Sequence, residues 1–364
     1  MSVSALFHEL TVQRVRPEAG HSLVISLSVP EALRSSFVFT PGQFVTLKAL
    51  IQGQEVRRSY SICSTPQHYQ ATLEIEIGVR VIDGGLFSNW AYASLREGDG
   101  LWVMPPDGRF VSKREDAHHR VGFAAGSGIT PVLSIMRHTL ESQPKTRFTL
   151  VYGNQNTGSV MFNETLQDLK DHYPERVTLI HVLSRQSQEV DLFAGRIDAA
   201  KVNRLLATLL PVGSMDEVFV CGPEGMIEDT CKALLEAGVP AEHVHAERFA
   251  SAKTTAAQTK KPSSSAHQTS IGDIALTLVM DGKHHALRMS AQDHILDIAL
   301  AAGLDLPYSC RGGVCCTCRA KVLEGSVSMD KNFTLEQWET DQGFVLSCQS
   351  KPTSSRVTLS FDDR

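Results

Sequence analysis

Three patterns of hydrophobic and polar positions follow one another along the chain. Residues 1–115 alternate apolar and polar positions in short runs such as Leu73-Glu74-Ile75-Glu76-Ile77, broken by Pro41-Gly42, Gly84-Gly85 and Pro105-Pro106. A period of two interrupted by turn formers predicts short antiparallel strands closing into a barrel. Residues 116–250 change character, because the apolar runs 121–125, 148–152, 178–183 and 217–221 alternate with segments of helical period. That alternation predicts a parallel, doubly wound α/β sheet. In it, Asn163 is placed to cap a helix over 164–173 and Gly238 to end one over 224–237. Between 251 and 270 the chain holds almost nothing a core can use, which predicts a flexible linker. Beyond it, 274–280 and 285–289 predict a hairpin, and 292–302 a helix stopped at Gly303. Residues 271–364 therefore read as a small α+β unit.

A length of 364 residues is enough for two or three domains with separate cores. The net charge of −5 is mild and no basic run is dense enough to neutralise a phosphate backbone, which argues against nucleic acid as a partner. The N-terminus lacks a charged-then-apolar signal pattern, and no stretch approaches the roughly 20 apolar residues that span a bilayer. The expectation is a soluble, cytoplasmic protein without a membrane partner. Cys63, Cys221 and Cys231 are scattered without a disulfide framework, as in a reducing compartment.

The remaining cysteines change the picture most. Cys310, Cys315 and Cys318, with Cys348 further on, stand at the C-x4-C-x2-C…C spacing of a plant-type [2Fe–2S] site, a one-electron centre. Three thiolates from one loop wrap two bridged irons only where the backbone approaches closely, which Gly312 and Gly313 allow. A zinc site or buried structural thiols are the alternatives, but zinc sites usually show two separated C-x2-C pairs, and one is present here. Cys316 reads as a packed thiol, since four cysteines complete the coordination.

Arg58-Ser59-Tyr60-Ser61 ends a predicted barrel strand and suits the parts of a flavin nucleotide. Arg58 can fork onto a phosphate, Tyr60 can cover the ring or ribityl chain, and Ser61 can hydrogen-bond the hydride-accepting N5. Alone, an Arg and a Tyr on a strand are more often a solvated face and a packing residue. Gly85-Leu86-Phe87-Ser88 adds a helix start, where free N–H groups and the Ser88 hydroxyl suit a pyrophosphate. Gly126-Ser127-Gly128-Ile129-Thr130-Pro131 lies between a strand and a helix, the arrangement that cradles a dinucleotide phosphate. An ordinary βα turn also explains it. Gly222, in Cys221-Gly222-Pro223, supplies a second turn at a strand end of the same sheet, where Cys221 either faces a nicotinamide or packs as a small core thiol.

In this order, R-x-Y-S, G-x-x-S, G-S-G-I-T-P, Y-G-N (152–154) and C-G-P resemble the ferredoxin–NADP reductase superfamily. With the C-terminal cysteine pattern, the chain resembles the oxygenase reductases of that superfamily. The segments 57–63, 103–110 and 313–318 are similar to the reductase components of phenylacetyl-CoA epoxidases. The resemblance covers all but the linker. It implies a multidomain protein of FAD-binding antiparallel β-barrel (1–115), NAD(P)-binding α/β sheet (116–250) and β-grasp ferredoxin (271–364). It implies FAD as the flavin, Glu247 and Phe249 beside it, and a multicomponent diiron oxygenase, the phenylacetyl-CoA epoxidase subunits, as partner. Glu247 and Phe249 are otherwise a surface charge and a core plug. Ser184 and Arg185, after the run 178–183, carry a hydroxyl and a guanidinium where NADH-selective relatives tend to carry a carboxylate, which favours NADPH. Arg185 in solvent is the alternative.

A hydride donor cannot feed a one-electron metal centre directly, so the implied sequence is NADPH, FAD, [2Fe–2S], then the oxygenase. Ser61, Cys221 and Glu247 are the candidate catalytic residues. Residues 271–364 carry 12 acidic against 9 basic side chains, which would steer a basic partner surface toward the cluster. A phthalate-type reductase with FMN, a reductase of a hybrid-cluster protein, and an electron carrier without reductase activity are the competing readings.

Overall fold

A computed structural model describes residues 6–249 and 274–363 of the chain, so the predicted linker 251–270 lies outside the described residues. In the first unit, β1 (His8–Glu18), β2 (Ser22–Ser28), β3 (Phe44–Ile51), β4 (Gln54–Ser61), β5 (Glu74–Arg80) and β6 (Gly100–Val103) form one antiparallel sheet in the order β4-β3-β6-β1-β2-β5. Ile62, just past β4, bridges Ile77 on β5, and the Cys63 N–H donates to the Glu76 carbonyl at 2.9 Å, which joins the two edge strands. The period of two is visible on β5, where Ile75, Ile77 and Val79 are buried in the barrel core with Leu10, Ile25 and Leu47. Each such burial contributes about 1.5–3 kcal/mol.

Two helices interrupt the barrel pattern. The helix α1 (Pro66–Thr72) falls where the alternation predicts no helix; Thr65 caps it by accepting from the His68 N–H, and Pro66 occupies its first turn. It ends at Leu73, whose φ of 56° is left-handed, so Leu73 is a helix cap and the alternating strand starts one residue later. The second, α2 (Leu86–Ser94), starts at Gly85 as the motif predicted.

The parallel sheet holds β7 (His119–Ala125), β8 (Arg147–Asn154), β9 (Val177–Leu183), β10 (Glu217–Gly222) and β11 (Val244–Arg248), in the order β11-β10-β7-β8-β9. The chain moves outward from β7 to β9 on one side and from β10 to β11 on the other. A crevice therefore opens at the carboxyl ends of β7 and β10. Flanking helices are α3 (Ile129–Ser142), α4 (Asn163–His172), α5 (Ala199–Thr208) and α6 (Glu224–Glu236). The Asn163 cap is corrected: the capping residue is Phe162, left-handed at φ 59°, and Asn163 is the first helical residue with no side-chain cap bond. Gly238 follows α6 at φ 95°, as its role of helix stop requires.

At the opposite end of this sheet, Arg120 on β7 and Glu217 on β10 are register partners and both fully buried, with Nε to Oε2 at 2.9 Å. Ser112 Oγ, the Lys113 N–H and His245 Nε2 also meet the Glu217 carboxylate, while Arg120 donates to Thr139, Ser112 and Gln143. Burial alone would raise Glu217, but the hydrogen bonds from His245, Ser112, Arg120 and Lys113 hold it down at about 2.

The second unit is α+β. Its sheet runs β13-β12-β18-β14-β16, from β12 (Ile274–Met280), β13 (Lys283–Met289), β14 (Arg319–Glu324), β16 (Phe344–Leu346) and β18 (Arg356–Ser360), with β15 (Val327–Met329) paired to β17 (Ser350–Pro352). The hairpin is as predicted. The helix α7 covers Ile295–Ala301, shorter than 292–302, because Ser290 and Asp293 close a turn before it: the Ser290 N–H donates to the Asp293 carboxylate at 2.8 Å. The core of this unit includes Leu276, Leu278, Ile295, Leu346 and Leu359, and the cysteine loop packs on it.

Candidate active site

The end of β4 and the start of α2 bring the two flavin motifs together. Tyr60 is half-buried with its ring 5.4 Å from that of buried Phe87, which belongs to the Gly85–Ser88 turn. Arg58 is half-buried, and one guanidinium nitrogen donates to the Arg57 carbonyl at 2.7 Å. Ser88 is buried and its Oγ accepts from the Ile82 N–H at 3.3 Å, leaving the hydroxyl proton for an anion. An added Cβ at Gly85 would lie 2.6 Å from that Oγ, so the glycine keeps the cradle open. The residues fit a flavin pyrophosphate at the positive end of α2.

Ser61 and Glu247 are 186 residues apart in sequence and in contact in the fold: the buried Ser61 hydroxyl donates to Glu247 Oε2 at 3.3 Å. Parallel pairing of β10 and β11 sets Glu247 opposite Cys221. All three candidate catalytic residues thus occupy one corner of the crevice. Glu247 is half-buried and Phe249 is 39% exposed, so neither the surface-charge nor the core-plug reading describes them. Burial pushes the Glu247 carboxyl up to about 8, against the opposing Ser61 bond. Cys221 is fully buried among core side chains; burial pushes its thiol up, and the Glu247 carboxylate adds to the rise.

That shift has a measurable consequence. The Glu247 carboxyl ordinarily titrates near 4.5 and in the fold near 8, so the folded state holds a proton that the unfolded state has released. Wild-type stability should therefore fall as pH rises from about 4.5 through 8, because ionising Glu247 in place is unfavourable. Glu247→Gln removes the titration, and the melting temperature of the variant relative to wild type should climb from pH 5 to pH 8. A constant difference across that range would contradict it.

The glycine turn after β7 is a 3-10 turn (Gly126–Gly128) leading into α3. A Cβ on Gly128 would lie 2.2 Å from the Cys221 carbonyl, so only glycine lets this turn sit against β10. Buried Thr130 donates to the Ser127 carbonyl at 3.0 Å, and the fully buried Tyr152 hydroxyl donates to the Gly126 carbonyl at 2.9 Å. Pro131 falls in the first turn of α3, where its missing N–H leaves no gap. Gly222 closes the crevice from β10; its Cβ would press Met226 and Ala125. At the far strand β9, Ser184 donates to the Asn154 carbonyl at 3.2 Å, and Arg185 is exposed.

Sequence reasoning missed Arg80. It ends β5 with a guanidinium nitrogen 2.4 Å from where a Gly126 Cβ would be, so it lies over the Gly126–Gly128 turn. It shares a face with Glu74 and Glu76, indistinguishable in sequence from a solvated strand face.

In the second unit the four predicted ligands are buried and fall into two neighbouring pairs, Cys310 with Cys315 and Cys318 with Cys348. The Cys315 thiol beside it holds Cys310 below the usual thiol range, and Cys318 does the same for Cys348. The Gly312 N–H donates to Cys310 Sγ at 3.3 Å and the Cys310 N–H to Cys315 Sγ at 3.4 Å. Two thiol pairs with backbone donors directed at sulfur fit a binuclear cluster that takes two thiolates per iron. Cys316 is buried at φ 62° and lies outside both pairs.

Residues 19–111 match the family model of an oxidoreductase FAD-binding domain, 123–232 that of an oxidoreductase NAD-binding domain, and 278–353 that of a 2Fe-2S iron-sulfur cluster binding domain. The chain is 41% identical over 359 residues to a subunit of the 1,2-phenylacetyl-CoA epoxidase of Escherichia coli (strain K12), covering 98% of each. It is 33% identical to the ferredoxin reductase component of 3-ketosteroid-9-alpha-monooxygenase of Rhodococcus rhodochrous, over 97% of this chain and 96% of the relative. Among solved structures, phthalate dioxygenase reductase aligns with a TM-score of 0.58 over 98% of both chains at 20% identity, a likeness of fold. No helix of the described residues is long and apolar enough to cross a membrane.

Proposed function

The chain belongs to the ferredoxin–NADP reductase superfamily, as an NAD(P)H-dependent flavin and iron–sulfur oxidoreductase with a C-terminal [2Fe–2S] domain, and from that premise we propose that it delivers electrons from NADPH to a multicomponent diiron oxygenase, the epoxidase acting on the ring of phenylacetyl-CoA. The observation that carries the reading is similarity to a component of such an epoxidase over nearly the whole of both chains, spanning all three modules. Cys63, Cys221 and Cys231, outside the cluster and without a disulfide, support a cytoplasmic setting.

When bound, FAD would supply hydride acceptance from the pyridine nucleotide and single-electron donation toward the [2Fe–2S] group. The protein's own part is placement and charge. Arg58, Tyr60, Gly85 and Ser88 would hold the flavin nucleotide, and the Gly126–Gly128 turn, Thr130, Gly222 and Arg80 would hold the dinucleotide phosphates. Ser61 would orient the flavin edge, and Glu247, kept protonated near neutral pH, can give or take a proton through the Ser61 hydroxyl. Cys221 would stand at the nicotinamide side as a neutral thiol.

NADPH is favoured by Ser184 and Arg185 at the β9 end. Arg185→Ala should weaken NADPH roughly ten- to a hundredfold, the worth of a lost charge-assisted contact of about 1.5–3 kcal/mol, and leave NADH nearly unchanged. Equal weakening of both coenzymes would place the selectivity elsewhere. The function itself is tested by NADPH-dependent oxygen uptake with purified oxygenase components and a panel of acyl-CoA substrates. Uptake specific to phenylacetyl-CoA is the expected result; coupling to a different oxygenase alone would overturn the substrate assignment.

A further inference from the structure

The residue after the fourth cluster ligand is built into the cluster loop more tightly than a neighbour needs to be. Gln349 is 7% exposed, and its side-chain amide Nε2 lies 2.9 Å from the Arg311 carbonyl, 2.9 Å from the Cys348 carbonyl and 3.6 Å from Cys348 Sγ. Two carbonyls accept and cannot donate, so they fix which end of the amide is nitrogen; with two N–H groups for three acceptors, the N–H on the Cys348 carbonyl also reaches the Cys348 sulfur as the longer arm of a shared bond. The backbone holds it in place: the Gln349 N–H donates to the Leu346 carbonyl at 2.8 Å, and its carbonyl accepts from the Asp330 N–H at 2.9 Å. Arg311 lies between the first ligand, Cys310, and Gly312, so one amide joins the three-cysteine loop to the distant fourth ligand.

We propose that Gln349 is a positioning and redox-tuning residue of the [2Fe–2S] centre, whose amide clamps the loop at Arg311 and donates a hydrogen bond to the Cys348 thiolate. Reduction adds negative charge to the thiolate-ligated core, and a donor aimed at a ligand sulfur stabilises that charge. The donor therefore raises the potential at which the cluster accepts an electron, and the clamp slows opening of the loop.

Iron and sulfide content of the full-length wild type establishes the cluster first, which separates a failure of that assignment from a failure of this one. Gln349→Leu and Gln349→Met remove the donor, and Gln349→Glu replaces it with a charged acceptor. The cluster midpoint potential should shift negative in the Leu and Met variants and further in the Glu variant, with faster iron release to a chelator in all three. FAD content should stay at the wild-type level. A Leu or Met variant holding its cluster at the wild-type potential would overturn the proposal. The wild type supplies a test that needs no variant: with the glutamine side chain labelled by 15N, pulsed EPR of the reduced cluster should detect a coupled amide nitrogen. Absence of that coupling also overturns it.

Discussion

Cys348→Ser should remove the cluster and, with it, almost all electron delivery to an oxygenase or to cytochrome c, while FAD content and NADPH-dependent ferricyanide reduction remain near the wild-type level. Cys348 pairs with Cys318, so its loss leaves one side of a binuclear centre with a single thiolate. The proposed flavin residues Arg58, Tyr60, Ser61, Gly85 and Ser88 belong to β4 and the start of α2, which pack on a core separate from that of the cluster unit. Iron content, the visible spectrum and the two acceptor assays check this together. Loss of FAD along with iron would contradict the separation of the two sites.

Glu217→Ala should be the most destabilising single change in the nucleotide-binding sheet. It strands the Arg120 guanidinium in a site with 1% exposure, and breaking one side of a buried pair costs about 3–5 kcal/mol. For a domain of this size that is roughly 6–20 °C in Tm. Acid gives the same signature in the wild type. With its carboxyl held at about 2 against an ordinary 4.5, Glu217 contributes stability above pH 4.5 that is lost as pH falls toward 2. Thermal unfolding of both proteins between pH 3 and 7 should converge at the acid end. A variant with wild-type Tm at pH 7 would show that the pair is structurally idle. The pair lies at the amino ends of β7 and β10, away from the crevice, so NADPH affinity of the folded variant should be little changed.

The sheets and most helices were legible because burial follows strand and helix periods: Ile75, Ile77 and Val79 in the barrel, and the four apolar runs that became β7 to β10. What the pattern hid was local backbone geometry. Leu73 and Phe162 adopt left-handed conformations that apolar residues seldom do, so a leucine read as a strand position and an asparagine read as a cap were each misplaced by one residue. The [2Fe–2S] domain was legible because metal coordination fixes the spacing of its cysteines along the chain. The Ser61–Glu247 contact was not, since no local pattern records which strand end meets which across 186 residues. Arg80 and Gln349 escaped for a similar reason: each meets a neighbour that only the fold supplies.

Anaerobic titration of the full-length protein with NADPH tests the central claim most directly, with flavin bleaching followed by absorbance and the reduced cluster by EPR. Electrons entering as hydride should leave the flavin and reach the [2Fe–2S] centre, so the cluster signal should grow as NADPH is added and reach the full cluster content. A flavin that bleaches while the cluster stays oxidised would contradict an electron path from pyridine nucleotide through FAD to iron.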